Sequence, residues 1–318
     1  MATLLVHIAL LAYAGAAVIF LVWLARPRDR LPSWGRALLA AGLLAHLASF
    51  GVALAQVGGS PSAAGLARAG FGSLAWRGGQ LFSLLAAATV AGYLALDLRY
   101  RLPVAGAFVA PLTVAVMVPA HIVQSGARAI NPGLAHSAAL AAHVVAAALG
   151  TAALALAFGL ALVYLAGERQ LKAKQPGRLF ARLPSLELVD RVGWRLVVWG
   201  FIGLSVAIGT GSLVSREATG AVFIFAPKEG FAVLAWGLLA TLVQARLVAG
   251  WRGRRVALLV VAGFVLLAGS YVALLASAPS GAASERKNAL TQGALRKGLP
   301  FRERALFPSA LRRTPRAA

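Results

Sequence analysis

The chain has 318 residues, of which 60% are hydrophobic and 13% charged, and its formal net charge is +22. Apolar residues at this density exceed what one globular core encloses, so a compact soluble domain and a disordered polycation are both excluded. The sequence contains no cysteine, which excludes disulfides, iron–sulfur ligation and thiol chemistry by this chain. The composition therefore predicts an integral membrane protein.

Eight stretches are long and apolar enough to cross a bilayer as helices, which need about 20 residues each. Leu and Ala dominate them, and their continuous apolar character differs from the alternating pattern of barrel strands. We predict an all-α fold: a polytopic transmembrane domain over residues 1–277, then a basic, disordered tail over residues 278–318. The predicted spans are residues 3–25, 36–57, 80–98, 103–124, 135–166, 192–214, 229–249 and 256–277.

The distribution of positive charge predicts the orientation of these spans. The odd-numbered connections carry seventeen Lys and Arg residues and the even-numbered ones carry five. Because cytoplasmic loops are enriched in these residues, we expect the odd connections in the cytoplasm and both termini outside the inner (cytoplasmic) membrane. Nine further positive residues lie in the tail, where an extracytoplasmic location favours contact with anionic lipid over contact with nucleic acid.

Histidines are the polar residues of the spans that invite a functional explanation, because polar side chains are costly inside a membrane. His46 lies near the middle of the second span, while His7, His121, His136 and His143 fall in the predicted outer half. A site that opens outward and uses imidazole suits haem ligation or proton handling. For each histidine the alternative is a simple hydrogen bond between helices.

Other polar features of the spans have structural explanations. Gly209 and Gly211 lie in an apolar stretch with no strand before them, so they indicate close helix packing and not a nucleotide loop. Asp97 ends the third span beside Arg99 and Arg101, and we expect it to form an interfacial ion pair. We find no carboxylate pair or Ser/His/Asp order, and we predict no catalytic residue.

The second half of the chain carries a succession of motifs. It contains Leu183-Pro-Ser-Leu-Glu-Leu-Val-Asp-Arg191, Gly200-Phe-Ile-Gly-Leu-Ser-Val-Ala-Ile-Gly-Thr-Gly211, Gly220-Ala-Val-Phe-Ile-Phe-Ala-Pro-Lys-Glu229, Gln244-Ala-Arg246 and Gly250-Trp-Arg-Gly-Arg-Arg255. This succession resembles the CcsA/HemX-type cytochrome c assembly family, whose haem-handling members carry LP-x-LD, GF-x-x-LT-x-GI-x-TG, a Trp-rich WWD loop and LH-x-R in this order. The resemblance covers most of residues 80–275 and is strongest over residues 183–265.

The resemblance implies a role in cytochrome c biogenesis, with haem held on an aromatic outer loop for delivery to apocytochrome c. It implies a b-type haem, permanent or transient, as cofactor. It also implies a CcsB/ResB-type membrane partner, so that the chain would act within a haem delivery complex and not as an enzyme on its own. His143 matches the family's outer axial histidine and is the implied metal ligand. The implied cofactor-binding residues are His143, Phe223, Phe225, Lys228, Glu229, Trp236 and His121.

Departures from the family pattern leave the ligand set open. Phe223 and Phe225 stand at the tryptophan positions of the loop, Ala226 stands at its aspartate, and Gln244 replaces an intramembrane histidine. No histidine follows residue 143 in the sequence. If haem binds, His143 would therefore ligate it alone, or share it with a partner's residue or with a non-matching histidine such as His121 or His7.

Two alternatives to haem delivery follow. The first is a non-catalytic HemX-like factor that modulates tetrapyrrole synthesis or assembly, which the altered loop favours. The second is a transporter, for which Pro111 and Pro119 interrupt the fourth predicted span, although the sequence shows no inverted repeat.

Overall fold

The structure is a computed structural model that describes residues 1–26, 28–56, 80–123, 137–173, 183–222 and 227–276. Within these ranges the ordered elements are all helices, which confirms the predicted all-α fold. The predicted basic tail, residues 278–318, lies outside the described residues. The helices are α1 (Ala2–Ala25), α2 (Leu31–Gln56), α3 (Gln80–Tyr100), α4 (Pro103–Val123), α5 (Ala138–Lys172), α6 (Leu186–Thr219), α7 (Pro227–Val248) and α8 (Arg254–Ala276).

The protein is a multi-pass membrane protein. Seven of these helices are long and apolar enough to cross a bilayer, and α4, with 21 residues, is also apolar. The expectation that Pro111 and Pro119 interrupt this span is wrong, because α4 runs unbroken past both. α4 packs against α1, α3 and α5. Neighbouring helices of this kind stabilise a membrane helix that has lost a backbone hydrogen bond to proline.

The two longest helices extend beyond their predicted spans. α5 has 35 residues and α6 has 34, which gives lengths of about 50 Å against a hydrocarbon core of about 30 Å. α6 begins at Leu186 because the Ser185 side chain caps it by accepting a hydrogen bond from the Leu188 backbone N–H. The amphipathic stretch that precedes the predicted sixth span is therefore the first part of α6.

Among the described residues, the apolar core has two large clusters that share α5, and a small third cluster around Leu140 and Val144 of the same helix. The first contains buried residues of α1, α3 and α4 together with Leu156, Leu160 and Val163 of α5. The second joins Leu154 and Ala157 of α5 to buried residues of α6, α7 and α8. α5 therefore lies at the centre of the molecule and supports the groups on either side of it.

Contacts between helix termini gather most of the described arginines at one end of the molecule. There Arg36 Nη1 of α2 lies 3.1 Å from Asp97 Oδ2 of α3, and Arg246 of α7 pairs with Asp190 of α6. We call this region, where α1, α3, α5 and α7 end and the other helices begin, the basic end. Asp97 thus forms an ion pair as expected, but its partner is Arg36 and not a neighbour along α3, because Asp97 is buried against α2.

Candidate functional site

Glycines bring the backbones of α5 and α6 into contact near the middle of the molecule. A Cβ atom added to Gly203 would lie 2.7 Å from Gly150 Cα and 3.2 Å from the Ala146 carbonyl oxygen. One added to Gly200 would lie 3.2 Å from the Gly150 carbonyl oxygen. Small residues allow this close approach of membrane helices. The packing fixes the register in which the next turns of the two helices meet.

His143 lies on this α5–α6 seam, about two turns from Gly150. Its Nδ1 atom is 2.7 Å from the backbone carbonyl oxygen of Ala207 on α6. A carbonyl oxygen only accepts hydrogen bonds, so Nδ1 carries the proton and Nε2 carries the lone pair of the neutral ring. The interhelical hydrogen bond that was the alternative to a functional role is therefore present, and it uses one of the two ring nitrogens.

Gly211 provides the space that the His143 ring occupies. A Cβ atom at Gly211 would lie 2.9 Å from both Cε1 and Nδ1 of His143. The prediction of close packing is confirmed for Gly211 and wrong for Gly209, whose added Cβ atom would meet nothing within 4 Å because it points away from α5. The sequence alone shows two small residues here, and only the facing helix distinguishes them.

On another face, α6 holds α7 through the side chain of Trp236. The indole Nε1 of Trp236 donates a hydrogen bond to Ser205 Oγ at 2.9 Å. Its rings stack on Phe201, with centroids 5.8 Å apart and planes 23° from parallel. The family pattern indicated Trp236 but not its partner, because Ser205 was one letter within an apolar motif.

A second link between α6 and α7 lies at the basic end. Arg246 donates to both carboxylate oxygens of Asp190, at 3.0 and 2.7 Å, and its guanidinium carbon lies 4.7 Å from the Trp194 ring centroid. Such a bidentate pair is stronger and more directional than a single ion contact. The links at Trp236 and at Arg246 fix α7 along α6, and so fix where the segment between these helices starts and finishes.

The structure does not bring Trp236 and His143 together. Their partners Ser205 and Ala207 are two residues apart on α6, which places them about 200° around the helix from each other. α6 therefore stands between the two side chains. Trp236 positions α7, whereas His143 faces α5 and α6.

Three of the remaining predicted site residues lie at helix ends opposite the basic end. His121 is in the last turn of α4, and Lys228 and Glu229 are in the first turn of α7, where Glu229 is half-buried. Phe223 and Phe225 lie outside the described residues, as does His136. The predicted haem loop therefore has described ends, Gly220–Val222 and Pro227–Glu229, on α6 and α7.

Two other described histidines, His7 and His46, lie on α1 and α2, and each has a neighbour within hydrogen-bonding distance. The Nδ1 atom of His7, exposed on α1, lies 2.7 Å from the Thr3 carbonyl oxygen one turn earlier. His46 is fully buried, with Nδ1 3.3 Å from the Tyr13 hydroxyl and its ring stacked on Phe50 at 5.3 Å. Among the residues that the structure describes, no group of three or more His, Asp or Glu side chains could hold a metal ion. Haem iron does not need such a group, because its porphyrin supplies the equatorial ligands and the protein only the axial ones.

The described helices define a multi-pass helical membrane protein with a hydrogen-bonded histidine between its two longest helices. The sequence profile described as Cytochrome C assembly protein matches residues 77–274, more than half of the chain. The chain therefore belongs to the CcsA-type cytochrome c assembly family, as the motif succession predicted.

Individual relatives match shorter segments. The chain is 37% identical over 91 residues to "Cytochrome c biogenesis protein CcsA" of Parasynechococcus marenigrum (strain WH8102), covering 29% of this chain and 30% of the relative. The protein of the same description from Synechococcus sp. (strain CC9902) is 35% identical over 102 residues, covering 30% and 34%. That of Trichormus variabilis is 36% identical over 86 residues, covering 27% and 24%. These matches span about a third or less of each relative, and no solved structure matches the chain.

Proposed function

We propose that the protein acts in cytochrome c biogenesis by holding haem at the extracytoplasmic membrane face for delivery to apocytochrome c. Family membership and the printed description of the relatives support the process. The positive-charge count supports the orientation, because it puts the basic end in the cytoplasm and the segment between α6 and α7 outside. The inner membrane is the location that this orientation implies.

One observation carries the proposal: the hydrogen bond from His143 Nδ1 to the Ala207 carbonyl oxygen. Histidines that ligate metals usually donate their other ring N–H to a carbonyl or carboxylate, which fixes the tautomer and the ring orientation. His143 has this arrangement, and the Gly211 notch further limits its rotation. The residue thus fits an axial ligand of haem, whose iron accepts a neutral imidazole nitrogen.

The rest of the proposed site is the aromatic segment between α6 and α7. Phe223 and Phe225 would lie against the flat face of the porphyrin, with Lys228 and Glu229 of α7 at the margin. Trp236 would contribute indirectly, by holding α7 against α6 through its hydrogen bond to Ser205. His121, in the last turn of α4, is the proposed second ligand within this chain, and His7 is the other candidate.

Delivery would need other proteins. This chain has no cysteine, so the thiols that accept haem belong to apocytochrome c. A CcsB/ResB-type membrane protein is the proposed partner, and it would supply whatever ligand this chain lacks. The bound haem would be of the b type until it is transferred.

The test is the absorption spectrum of the full chain, extracted in detergent after expression with ample haem. We expect a Soret band from the wild type, a weakened and shifted band from His143→Ala, and partial recovery when imidazole is added to that variant. Thr210→Val is the matched control, because Thr210 lies on the same stretch of α6 and also approaches the Ala207 carbonyl oxygen, at 3.3 Å. His121→Ala and His7→Ala test the second ligand.

Two results would contradict parts of this proposal. The absence of a Soret band from the wild-type protein would contradict the proposal that this protein holds haem. A Soret band that is unchanged in His143→Ala would contradict the assignment of His143 as a haem ligand, but not the proposal that the protein holds haem.

A second function within the same family is supported by the altered loop. Phe223, Phe225 and Ala226 replace the two tryptophans and the aspartate of the family motif. A HemX-like membrane factor that influences tetrapyrrole synthesis or assembly would not need to hold haem there. This function predicts no Soret band, together with a changed cellular haem content when the gene is deleted.

A further inference from the structure

Two arginines from different helices meet one tyrosine at the basic end. Tyr100 is the last residue of α3, and its hydroxyl oxygen accepts a hydrogen bond from Arg195 Nη1 of α6 at 3.0 Å. The guanidinium carbon of Arg99 lies 5.3 Å from the centroid of the Tyr100 ring. The Tyr100 side chain therefore contacts two positive groups, one at its hydroxyl and one over its ring.

The carboxylates of the neighbouring helices do not neutralise these two arginines. Among the described residues, neither Arg99 nor Arg195 lies within 4.0 Å of a carboxylate. The carboxylates nearby are paired with other cations, in the pairs Asp97–Arg36, Glu187–Arg191, Asp190–Arg246 and Glu168–Lys172. The Arg99–Tyr100–Arg195 group therefore presents two guanidiniums for an anion, and guanidiniums bind phosphate oxygens with high geometric fit.

Apolar side chains lie directly beside this group. Trp199 follows Arg195 by one helical turn, on the same face and nearer the middle of α6, and is 68% exposed. Leu98, which precedes Arg99, is 80% exposed. Tryptophan is enriched where a membrane protein crosses from hydrocarbon to head groups. From the middle of α6 towards the basic end, the surface is therefore first apolar and then carries two cations. A phospholipid has the same order, from its acyl chain to its phosphate.

We propose that Arg99, Tyr100 and Arg195 bind the phosphate of an anionic phospholipid, whose acyl chain lies along Trp199. A free phosphate ion would use only the arginines, whereas the exposed indole and Leu98 give a lipid its additional contact. Bound there, the lipid would join the end of α3 to the first turns of α6, on either side of α5. The proposal does not depend on haem binding.

Tryptophan quenching by brominated acyl chains tests this proposal. The full chain is reconstituted in phosphatidylcholine vesicles that contain phosphatidylglycerol as the minor lipid, with bromine on one lipid or the other. The contribution of Trp199 is the difference between the wild type and Trp199→Phe. We expect brominated phosphatidylglycerol to quench Trp199 well beyond its mole fraction.

Variants separate a built site from general surface charge. A basic residue near an anionic lipid surface contributes about a fivefold preference. We therefore expect Arg99→Gln/Arg195→Gln to lower the selectivity for phosphatidylglycerol at Trp199 by about 5- to 25-fold. The matched control is Arg254→Gln/Arg255→Gln, which removes the same charge from the start of α8 at the same end and should leave the selectivity unchanged. Tyr100→Phe keeps both arginines and should give an intermediate loss, which a folding defect in the double variant would not mimic.

Three results would overturn the proposal. The first is quenching of Trp199 in the wild type by each brominated lipid in proportion to its mole fraction. The second is an equal loss of selectivity in the two double variants. The third is a change in Trp199 fluorescence with sodium phosphate but not with sodium chloride of equal ionic strength, in vesicles where phosphatidylglycerol is not enriched at Trp199, because this would make the group a site for the free ion.

Discussion

Gly203→Ala should separate α5 from α6 and weaken the hydrogen bond of His143. The added Cβ atom would lie 2.7 Å from Gly150 Cα and 3.0 Å from Gly150 N. Carbon atoms in good contact are about 3.5–4.0 Å apart, so the helices must move by about 1 Å at this point. The atoms that the methyl group meets are backbone, which has no rotamer to relieve the clash. A similar shift two turns away would stretch the 2.7 Å distance from His143 Nδ1 to the Ala207 oxygen beyond about 3.5 Å, where a hydrogen bond is lost.

The expected cost follows from two opposing effects. Overpacking a well-packed interior costs about 1–3 kcal/mol, and contact with backbone puts this site at the upper value. Alanine is a better helix former than glycine by about 1 kcal/mol, which offsets part of that cost. We therefore expect Gly203→Ala to lower the free energy of unfolding by about 2 kcal/mol.

Gly209→Ala, on the same helix, measures the helix-forming effect by itself, because among the described residues an added Cβ atom there meets no neighbouring side chain or facing helix within 4 Å. Its stability should equal or exceed that of the wild type. The assay is thermal or denaturant unfolding in detergent, together with the rate at which diethyl pyrocarbonate modifies His143, measured by mass spectrometry. Gly203→Ala should speed the modification and Gly209→Ala should not. Equal unfolding free energies for the two variants would refute the close backbone approach.

Two ion pairs give further predictions for unfolding in detergent. Arg246→Gln should cost about 2–3 kcal/mol, because Asp190 loses a bidentate partner in a partly buried position, and the further change Asp190→Asn should recover most of this loss; a double-mutant cycle without coupling between the two would contradict it. Arg36→Gln should cost about 3 kcal/mol and exceed the cost of Asp97→Asn, because it leaves a fully buried carboxylate without its cation. Unchanged stability of Arg36→Gln would contradict a stabilising role for this ion pair.

The eight helices of the described residues were predictable from the sequence because a bilayer sets a minimum apolar length. The ends of these helices were less predictable. The predicted sixth span began at residue 192, whereas α6 begins at Leu186. Ser185, followed by acidic Glu187 in the first turn, was a readable start signal. Hydropathy misses this start, because charged residues near the membrane surface lower the mean hydropathy of the first part of α6. Helix capping indicates it.

The candidate site was predictable only in part, since its contacts join distant parts of the chain. The family motif indicated His143, but its acceptor Ala207 lies 64 residues later and offers only a backbone carbonyl, which no residue type reveals. Likewise, the role of Gly211 depends on the ring that faces it. The partner of Asp97 was missed because Arg36 lies on another helix, 61 residues earlier.

The two links between α6 and α7 have a consequence for how the protein could diversify. Ser205–Trp236 lies within both helices and Asp190–Arg246 lies at the basic end, and both are away from residues 220–226, which connect the two helices. The two helices are therefore held together at two points, and neither contact involves the residues that connect them. Sequence changes confined to the connecting residues would leave both contacts intact, so the sequence of this segment and the stability of the helix pair can change independently.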